Sequence, residues 1–253
     1  MEERKSLLES YSNSIKFVLV GTTHPGNIGA SARAIKNMGF NKLSLVDPKD
    51  YPNNDALYRA KAAKDVLENS EVHDHLSKAT KNCQLIIGTS ARNRKVPWPV
   101  VSPKQAGREV ANYLNSGSKE IAIVFGREDR GLTNEELGMC NLHVHIPTDE
   151  DYSSLNLSQA VQILSYELRL AMLSEEEVDA KNEWDVELAN SDQTERLINH
   201  MDELMQEVEF YDTQNPRKLL TRVRRFFKRS QIDVMEANIF RGLFSAIQKR
   251  MKD

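Results

Sequence analysis

Cysteine and long apolar runs are scarce in this chain, and each scarcity excludes a class of protein. Cysteine occurs only twice in 253 residues, as Cys83 and Cys140, which is too few for a disulfide framework or a zinc site. The histidines show no metal-ligand spacing, so we expect no metal. No apolar run approaches the roughly 20 residues that cross a bilayer, and residues 1–14 are too polar for a signal peptide. We therefore expect a cytoplasmic protein with a short leader and no membrane contact.

Charge is distributed unevenly, and its distribution matters more than the net value of −3. The stretch 175–195 is acidic, and the segment that follows it is rich in cations. A net charge near zero can hide a basic face, and that face is what a phosphate backbone meets. We interpret the basic segment as an RNA contact, with a solvated helix face or a membrane-surface helix as alternatives. Its seven cations are Arg217, Lys218, Arg222, Arg224, Arg225, Lys228 and Arg229.

Apolar runs of strand length alternate with helical patterns up to about residue 173. This alternation predicts an α/β domain in which a mostly parallel sheet is covered by helices on both faces. The predicted strands are 15–20, 43–46, 85–88, 121–125 and 143–146. The predicted helices are 30–38, 73–79, 103–114, 134–139 and 157–173.

The composition changes after residue 173. We expect a solvated acidic linker at 174–190, which separates an α/β domain at 1–173 from a small all-helical extension at 191–253. Asp192 and Glu195 have the spacing of a capping box at the first helix of the extension. Three apolar stripes at helical spacing predict a small helical core. The stripe of the last helix consists of Ile232, Met235, Ile239, Leu243 and Ile247.

The run 17–33 leads an apolar strand into a glycine-rich loop and then into an alanine-rich helix. It resembles a nucleotide-binding turn, but its details exclude the common ones. The spacing of Gly21, Gly26 and Gly29 is not that of a dinucleotide-binding fold, and no Lys-Ser/Thr pair follows Gly26 as a phosphate-binding loop requires.

Two later turns carry polar side chains at the ends of predicted strands. Strand 121–125 ends in Gly126 and is followed by the charged run 127–130. Charges at the carboxyl end of a buried strand mark the edge at which an open α/β sheet binds its ligand. The turn before helix 157–173 is either an ordinary capped turn or one that lies against a polar ligand at a helix start. It crowds together Ser153, Ser154, Leu155 and Asn156.

In this order and spacing, the three segments resemble the three motifs of the SPOUT class of RNA methyltransferases. The resemblance is to the SpoU/TrmH branch, which methylates ribose 2′-hydroxyls with S-adenosylmethionine. The run Gly88-Thr-Ser-Ala-Arg-Asn-Arg94, followed by Val96-Pro-Trp-Pro99, resembles the TrmJ subgroup, the tRNA methyltransferases that act on nucleotide 32 of the anticodon loop. The resemblance covers roughly 15–173. It implies a C-terminal trefoil knot in the α/β domain, a tRNA substrate, and a homodimer at whose interface the site is completed.

The resemblance also assigns catalytic roles. Asn27 is expected to fix Arg33 by a side-chain hydrogen bond, and Arg33 to activate the ribose hydroxyl. Because a guanidinium keeps its proton at neutral pH, we interpret Arg33 as an electrostatic activator and not as a general base. Glu128 is expected to orient Arg33 or the substrate, while Ser154 and Asn156 match positions close to donor and acceptor.

The remaining site residues follow from the same resemblance, while Asp129 and Arg130 receive no role. Arg94 is expected to reach the RNA, although it could instead stack on Trp98. The donor pocket is expected to use mainly backbone groups of Thr89, Ser90, Ala91, Gly126, Ile146, Ser154 and Leu155. The expected RNA-binding residues are Arg92, Arg94, Arg222, Arg224, Arg225 and Lys228.

Two other functions remain compatible with the sequence. One is ribose methylation of another tRNA or ribosomal RNA nucleotide. The other is an RNA-binding protein that kept the fold without catalysis. Tolerance of both cytidine and uridine at the target nucleotide is implied by the resemblance alone, because ribose chemistry does not depend on the attached base.

Overall fold

Seven parallel strands form one sheet at the centre of the first domain. The structure is a computed structural model that describes residues 11–90, 98–115, 117, 120–174 and 186–252. The strands are β1 (Ile15–Val20), β2 (Lys42–Val46), β3 (Glu71–His73), β4 (Leu85–Thr89), β5 (Val100–Val101), β6 (Ile121–Phe125) and β7 (Leu142–Val144). Their order is β3-β2-β1-β6-β4-β7-β5, and every adjacent pair is parallel. This order is compatible with the implied knot, which stays a prediction.

Helices cover both faces of the sheet, which confirms the predicted fold class. The side chains of Phe17 and Leu19 on β1 join one core cluster, whereas Val18 and Val20 join another on the opposite face. Successive residues of a strand point to opposite faces, so a run that is apolar at every position must be buried on both sides. The helices between residues 25 and 173 are α1 (Pro25–Asn37), α2 (Asn54–Ala60), α3 (Lys64–Glu68), α4 (Leu76–Thr80), α5 (Pro103–Asn115), α6 (Asn134–Gly138) and α7 (Leu157–Leu173).

The two cores divide these helices between the faces. Helices α1, α2, α3, α5 and α7 pack on the face of Phe17, and α4 and α6 pack on the face of Val18. The sequence analysis missed α2, α3 and the edge strands β3 and β5. Each edge strand has only two or three residues, and Val72 of β3 and Val100 of β5 are exposed. Segments this short carry no readable period.

Three helices form the C-terminal extension: α8 (Ser191–Glu207), α9 (Leu219–Ser230) and α10 (Val234–Lys252). Their shared core contains Leu197 and Ile198 of α8, Phe227 of α9 and Phe244 of α10. Within the part of the chain that the structure describes, no helix has the length and apolarity of a membrane span.

The capping box predicted for the first of these helices is wrong. Helix α8 begins after Asn190, whose side chain accepts a hydrogen bond from the backbone N–H of Gln193 at 2.9 Å, and Gln193 accepts from the backbone N–H of Asn190 at 2.8 Å. Asp192 lies inside the first turn. The helix therefore starts two positions before the predicted cap, because an Asn with Gln three residues later satisfies the same free N–H groups.

The apolar stripe predicted for the core side of the last helix is also wrong. Phe244 faces the core, whereas Met235, Ile239 and Leu243 are 56%, 65% and 53% exposed. Ile232, which belongs to the predicted stripe, is buried but precedes the helix. Because α10 carries apolar residues on more than one side, their spacing alone did not identify the buried side.

Backbone hydrogen bonds join the extension to the sheet. The N–H of Ser191 donates to the carbonyl of Cys83, just before β4, at 2.9 Å. Leu188 is buried, so the predicted linker 174–190 is not solvated at its C-terminal end. The rest of that linker, 175–185, lies outside the described residues. The extension is thus attached to the sheet next to the start of β4.

Candidate active site

A cavity of about 210 Å³ lies at the carboxyl ends of β4, β6 and β7, where an open parallel sheet binds its ligands. Its walls come from the end of β4, from the charged loop after β6 and from the polar turn before α7. Ala91, expected in the same pocket, lies outside the described residues. The predicted donor-pocket residues that line the cavity are Thr89, Ser90, Gly126, Ile146, Ser154 and Leu155.

The cavity has one apolar wall and one polar edge. The sequence analysis missed the apolar residues Leu132, Leu157 and Ala160, which belong to the same turns and their first helical residues. Asp129 and Arg130, to which it gave no role, also line the cavity. A flat heterocycle fits an apolar wall of this kind, and hydroxyl and backbone groups suit the polar parts of one ligand.

The loop after β6 closes tightly on itself at Gly126. The N–H of Gly131 donates to the carbonyl of Arg127 at 2.9 Å. A Cβ atom at position 126 would lie 2.1 Å from the backbone carbon of Gly131, so no side chain fits there. Gly131 has φ of +68°, a conformation that favours glycine. These two glycines let the backbone, and not side chains, form this wall of the cavity.

Glu128 ties this loop to the glycine-rich loop before α1. Its carboxylate accepts hydrogen bonds from the N–H and hydroxyl of Thr23 at 3.1 and 3.0 Å, from the N–H of His24 at 3.4 Å, and from Nδ2 of Asn27 at 3.0 Å. Burial raises the pKa of Glu128, but the hydrogen bonds from Asn27 and Thr23 outweigh it, so the pKa lies below its ordinary value of 4.5. Glu128 is therefore an anion at neutral pH.

The neighbouring Arg127 performs a second structural task. It forms a two-point ion pair with Glu136 of α6, at 2.9 and 3.0 Å, and both side chains are largely buried. Its side chain also lies against Gly21 at the end of β1, where a Cβ would be 2.6 Å from Nε. The guanidinium thus holds β1, the charged loop and α6 together, and its hydrogen-bonding fork is already used within the protein.

The predicted hydrogen bond between Asn27 and Arg33 is not formed within the chain. Asn27 donates to Glu128 with Nδ2 and accepts from Nδ2 of Asn156 with Oδ1, each at 3.0 Å. Six residues of α-helix separate Asn27 from Arg33 by about 9 Å and place them on different sides of α1. Asn156 also caps α7, because its Oδ1 accepts from the N–H of Ser158 at 2.9 Å. The capped-turn interpretation is therefore confirmed. The ligand-site interpretation stays a prediction, and the cap is compatible with it because Ser153, Ser154 and Leu155 of the same turn line the cavity.

Arg33 lies apart from this network. Its side chain is exposed, it does not line the cavity of its own chain, and among the described residues it has no hydrogen-bond or ion-pair partner. Glu128, expected to orient it, binds Thr23, His24 and Asn27 instead. Within one chain, the structure brings together Asn27, Glu128 and Asn156 and leaves Arg33 outside.

Replacing Glu128 with Gln should loosen the turn into α1. A Gln side chain has one acceptor oxygen where the carboxylate serves three residues, so we expect the free energy of unfolding at pH 7 to fall by about 1–2 kcal/mol. Because the folded pKa is lowered, the stabilisation by Glu128 is present above about pH 4.5 and is lost as the pH falls through the lower value. Urea denaturation at pH 7 and at pH 4 checks this.

Asp129→Asn is the matched control for Glu128→Gln. It makes the same chemical change at the next residue, whose exposed carboxylate lies 3.8 Å from Arg130 and makes no other ion pair in the described part of the chain. We expect its unfolding to match that of the wild type. Equal stability losses at both positions would contradict the role given to Glu128.

The basic segment forms an open groove at the start of α9. Arg217, Lys218 and Arg222 line it, beside Tyr211 and Asn215. All three cations are exposed. Arg225, also predicted to bind RNA, is half-buried.

Two predicted RNA-binding residues point into the protein. Lys228 is 2% exposed, and its Nζ lies 3.3 Å from Oε1 of Glu195 and 3.1 Å from the hydroxyl of Ser191. Arg224 forms an ion pair with the other oxygen of Glu195 and is half-buried. Lys228 is therefore corrected to a structural residue, because burial of the ammonium requires the partner that Glu195 provides. A sequence does not show which cations of a helix meet an acid on its neighbour.

Removal of Glu195 should cost more stability than removal of Lys228. Glu195→Ala leaves the buried ammonium without its carboxylate, and we expect the free energy of unfolding to fall by about 3 kcal/mol. Lys228→Met keeps the apolar stem and leaves Glu195 paired with Arg224, so we expect a loss of about 1 kcal/mol. Urea denaturation of both variants gives the comparison, and equal losses would argue against a buried ion pair.

The remaining predicted residues can be placed only in part. Arg92 and Arg94 lie outside the described residues. Trp98 stacks on His143, with ring centroids 5.3 Å apart and planes 4° from parallel, and its Nε1 donates to the carbonyl of Cys140 at 3.0 Å. One face of the indole is thus already covered by the imidazole ring of His143 on β7. In the part of the chain that is described, no group of His, Cys, Asp and Glu is arranged to hold a metal ion.

Comparison with known families and sequences agrees with this geometry. Residues 14–166 match the model of the SpoU rRNA Methylase family, and residues 192–253 match that of the tRNA methyltransferase TrmJ C-terminal domain. The chain is 43% identical to the tRNA (cytidine/uridine/adenosine-2′-O-)-methyltransferase TrmJ of Pseudomonas aeruginosa, over 93% of this chain and 94% of that protein. It is 40% identical to the tRNA (cytidine/uridine-2′-O-)-methyltransferase TrmJ of Photorhabdus laumondii, over 94% and 98% of the two chains.

A solved structure shows a similar arrangement. The crystal structure of TrmJ from Z. mobilis ZM4 superimposes with a TM-score of 0.80 at 26% identity, and the match covers 92% of this chain and 98% of that one. The match therefore spans most of the α/β domain and of the helical extension.

Proposed function

We propose, since the chain belongs to the SpoU rRNA methylase family and to its TrmJ branch, that it methylates the ribose 2′-hydroxyl of nucleotide 32 in the tRNA anticodon loop, with S-adenosylmethionine as donor. The observation that carries this proposal is the cavity at the carboxyl ends of β4, β6 and β7. Two of its walls are the turns of the second and third motif-like segments, at 126–132 and 153–157. The names of the relatives from P. aeruginosa and P. laumondii support a tRNA ribose as the acceptor.

The residues of the cavity suit this donor. Leu132, Leu157 and Ala160 offer an apolar wall to the adenine ring, and Thr89 and Ser90 lie at the polar edge, where the ribose and the amino-acid part can be held. When bound, S-adenosylmethionine supplies a methyl group on a positively charged sulfur. The protein has to exclude water and hold the acceptor oxygen in line with the carbon–sulfur bond.

The reaction requires stabilisation of charge on the acceptor oxygen. A bond forms between the ribose O2′ and the methyl carbon, the carbon–sulfur bond breaks, and the hydroxyl proton leaves to solvent. Ser154 lies in the cavity wall, and Asn156 follows it, held by Asn27. A cation near O2′ lowers the barrier by stabilising the developing alkoxide. Arg33 is the residue that the family resemblance assigns to this task.

Arg33 is proposed to act in the cavity of a second copy of the chain. Its exposure and its distance from Asn27 fit a residue that completes a neighbouring site better than one that completes its own. Helix α7 supplies the cavity residues Leu157 and Ala160 and carries exposed apolar side chains, and α1 packs beside it. A homodimer formed over this surface would bury those side chains and bring Arg33 toward the partner's cavity. The exposed apolar residues of α7 are Tyr166, Leu170 and Leu173.

The extension is proposed to bind the tRNA backbone. The groove at the start of α9 is lined by Arg217, Lys218 and Arg222, and all three cations are exposed. Such groups supply salt-dependent affinity that is indifferent to base sequence. Selection of nucleotide 32 would then result from the distance between this groove and the cavity.

Methylation of defined tRNA transcripts tests the proposal. The full chain is incubated with S-adenosylmethionine carrying a labelled methyl group and with transcripts that have C, U, A or G at nucleotide 32. We expect label on the ribose of that nucleotide, and none in a matched transcript whose nucleotide 32 is a 2′-deoxyribonucleotide. Label at another nucleotide would identify a sister enzyme, and no label on any tRNA would reject methyl transfer to tRNA. The four bases show whether adenosine is accepted.

A further inference from the structure

One side of α10 is apolar and exposed, although the helix packs in the core of the extension through a neighbouring side that carries Ala237 and Phe244. A helix on a protein surface normally has one apolar side, and a helix that is apolar on two sides is normally covered on both. Contiguous exposed apolar surface on a folded domain usually marks an interaction site. The exposed apolar residues of this side are Ile239, Leu243 and Ile247, and the exposed Met235 and Met251 flank it at about 80° from Leu243.

The exposed apolar residues on this side of α10 are spaced symmetrically along the sequence around Leu243. Taking Leu243 as the centre, Ile239 and Ile247 lie four residues away on either side, and Met235 and Met251 lie eight residues away. In an α-helix these positions are also placed symmetrically around the direction in which Leu243 points, because each residue turns the chain by about 100°. In an antiparallel pair centred on Leu243, residues at equal distances from the centre meet, so Ile239 of one copy lies against Ile247 of the other.

The charged residues on this side would also be complementary in an antiparallel pair of α10 helices. Glu236 and Arg250 each lie seven residues from Leu243, on opposite sides of it, and both are exposed. Seven residues are about two helical turns, so both charges lie on the same side as Leu243. In an antiparallel pair centred on Leu243, Glu236 of one copy faces Arg250 of the other. Two such contacts form around the twofold axis.

We propose that this side of α10 pairs, antiparallel, with the same side of α10 in a second copy of the chain. A twofold contact uses one surface twice and must be self-complementary, which this surface is in both its apolar and its charged residues. Phosphates are a poorer match, because the side carries three large apolar residues, with a methionine on either flank, and a single arginine. A helix pair of this length is small for a stable dimer interface, so it acts beside a larger contact.

A cysteine at the centre of the contact tests the proposal. Leu243→Cys is made in the full chain, whose native Cys83 and Cys140 are buried. Mild oxidation with copper-phenanthroline should give a disulfide-linked dimer on a non-reducing gel. Ser245→Cys is the matched control, because Ser245 is exposed on the same helix but points about 160° away from Leu243. It should stay at the mass of one chain, and the circular dichroism of both variants should match the wild type.

Charge reversal gives an independent measurement in the Leu243→Cys protein. Arg250→Glu sets two carboxylates opposite each other and should lower the yield of linked dimer several-fold. Lys249→Glu makes the same change in charge one residue away, pointing about 120° from the contact, and should leave the yield unchanged. Equal yields for both reversals would overturn the charge complementarity.

If something other than a second α10 covers this side, the cross-linking and maleimide results differ, and each of the following outcomes would overturn the proposal. Equal linking of Leu243→Cys and Ser245→Cys would indicate random collision. If Leu243→Cys does not link but is protected from maleimide, another part of the protein covers it. If tRNA alone protects it, the side binds RNA. The inference does not depend on methyl transfer, because linking is read on a gel without donor or tRNA.

Discussion

An Arg33→Ala variant should lose about a hundred-fold or more in turnover while it still binds S-adenosylmethionine. The guanidinium is proposed to act on the acceptor oxygen as charge develops there, so its loss affects the transition state and not donor affinity. Single-turnover methylation with saturating tRNA measures the rate, and calorimetry with S-adenosylmethionine measures donor binding. Arg59→Ala, at another exposed arginine of the α/β domain, is the control and should retain full turnover.

Mixed dimers can show in which chain Arg33 acts. Arg33→Ala is co-expressed with Leu155→Trp, in which an indole occupies part of the cavity, and the two chains carry different tags. If Arg33 completes the partner's cavity, a mixed dimer has one intact site and one site with both defects. An equal mixture should then recover about a quarter of the wild-type activity. If Arg33 acts in its own chain, both sites of the mixed dimer are defective and no activity returns.

Replacing Arg217 and Arg222 together with Ala should weaken tRNA binding at least ten-fold at physiological salt and leave donor binding unchanged. Each lost phosphate contact removes about one unit or less from the slope of log affinity against log salt, so the slope should become shallower by up to about two units. Filter binding over a series of salt concentrations measures both quantities.

Lys78→Ala is the control for the Arg217 and Arg222 double variant. Lys78→Ala removes an exposed cation of α4 that pairs with Asp74, and it should leave the tRNA slope unchanged. Arg224→Ala should instead lower stability, because Arg224 is paired with Glu195. If the double variant bound tRNA with the wild-type slope, the groove would not be the phosphate contact, and the extension would serve stability or dimer formation.

The sequence was sufficient for the five inner strands and for the cavity at their carboxyl ends, because both depend on local patterns. Buried parallel strands such as β6 are apolar at every position, and their ends carry the turns that form the cavity. Ser154 and Leu155 could be placed for this reason. The resemblance to a family added the expectation that the three turns belong to one site, which composition alone does not show.

What the sequence did not show depends on partners that are distant along the chain. Asn27 has its hydrogen-bonding partners at Glu128 and Asn156, more than 100 residues away, whereas the predicted partner was six residues away. Lys228 looked like its neighbours on α9 until Glu195 of α8 was seen beside it. The exposed side of α10 could not be distinguished from its buried side, because the two have similar composition.

The carboxylate of Glu128 also determines which ligands this loop can accept. In many nucleotide-binding proteins, the turn from the first strand into the first helix offers its N–H groups and the positive end of the helix to a phosphate. Here the N–H groups of Thr23 and His24 already bind an acid of the protein itself. A phosphate arriving at this turn would meet a like charge and few free donors. Dinucleotides and nucleoside triphosphates are therefore poor ligands at this turn, and a nucleoside without phosphate, joined to an amino acid, avoids that repulsion.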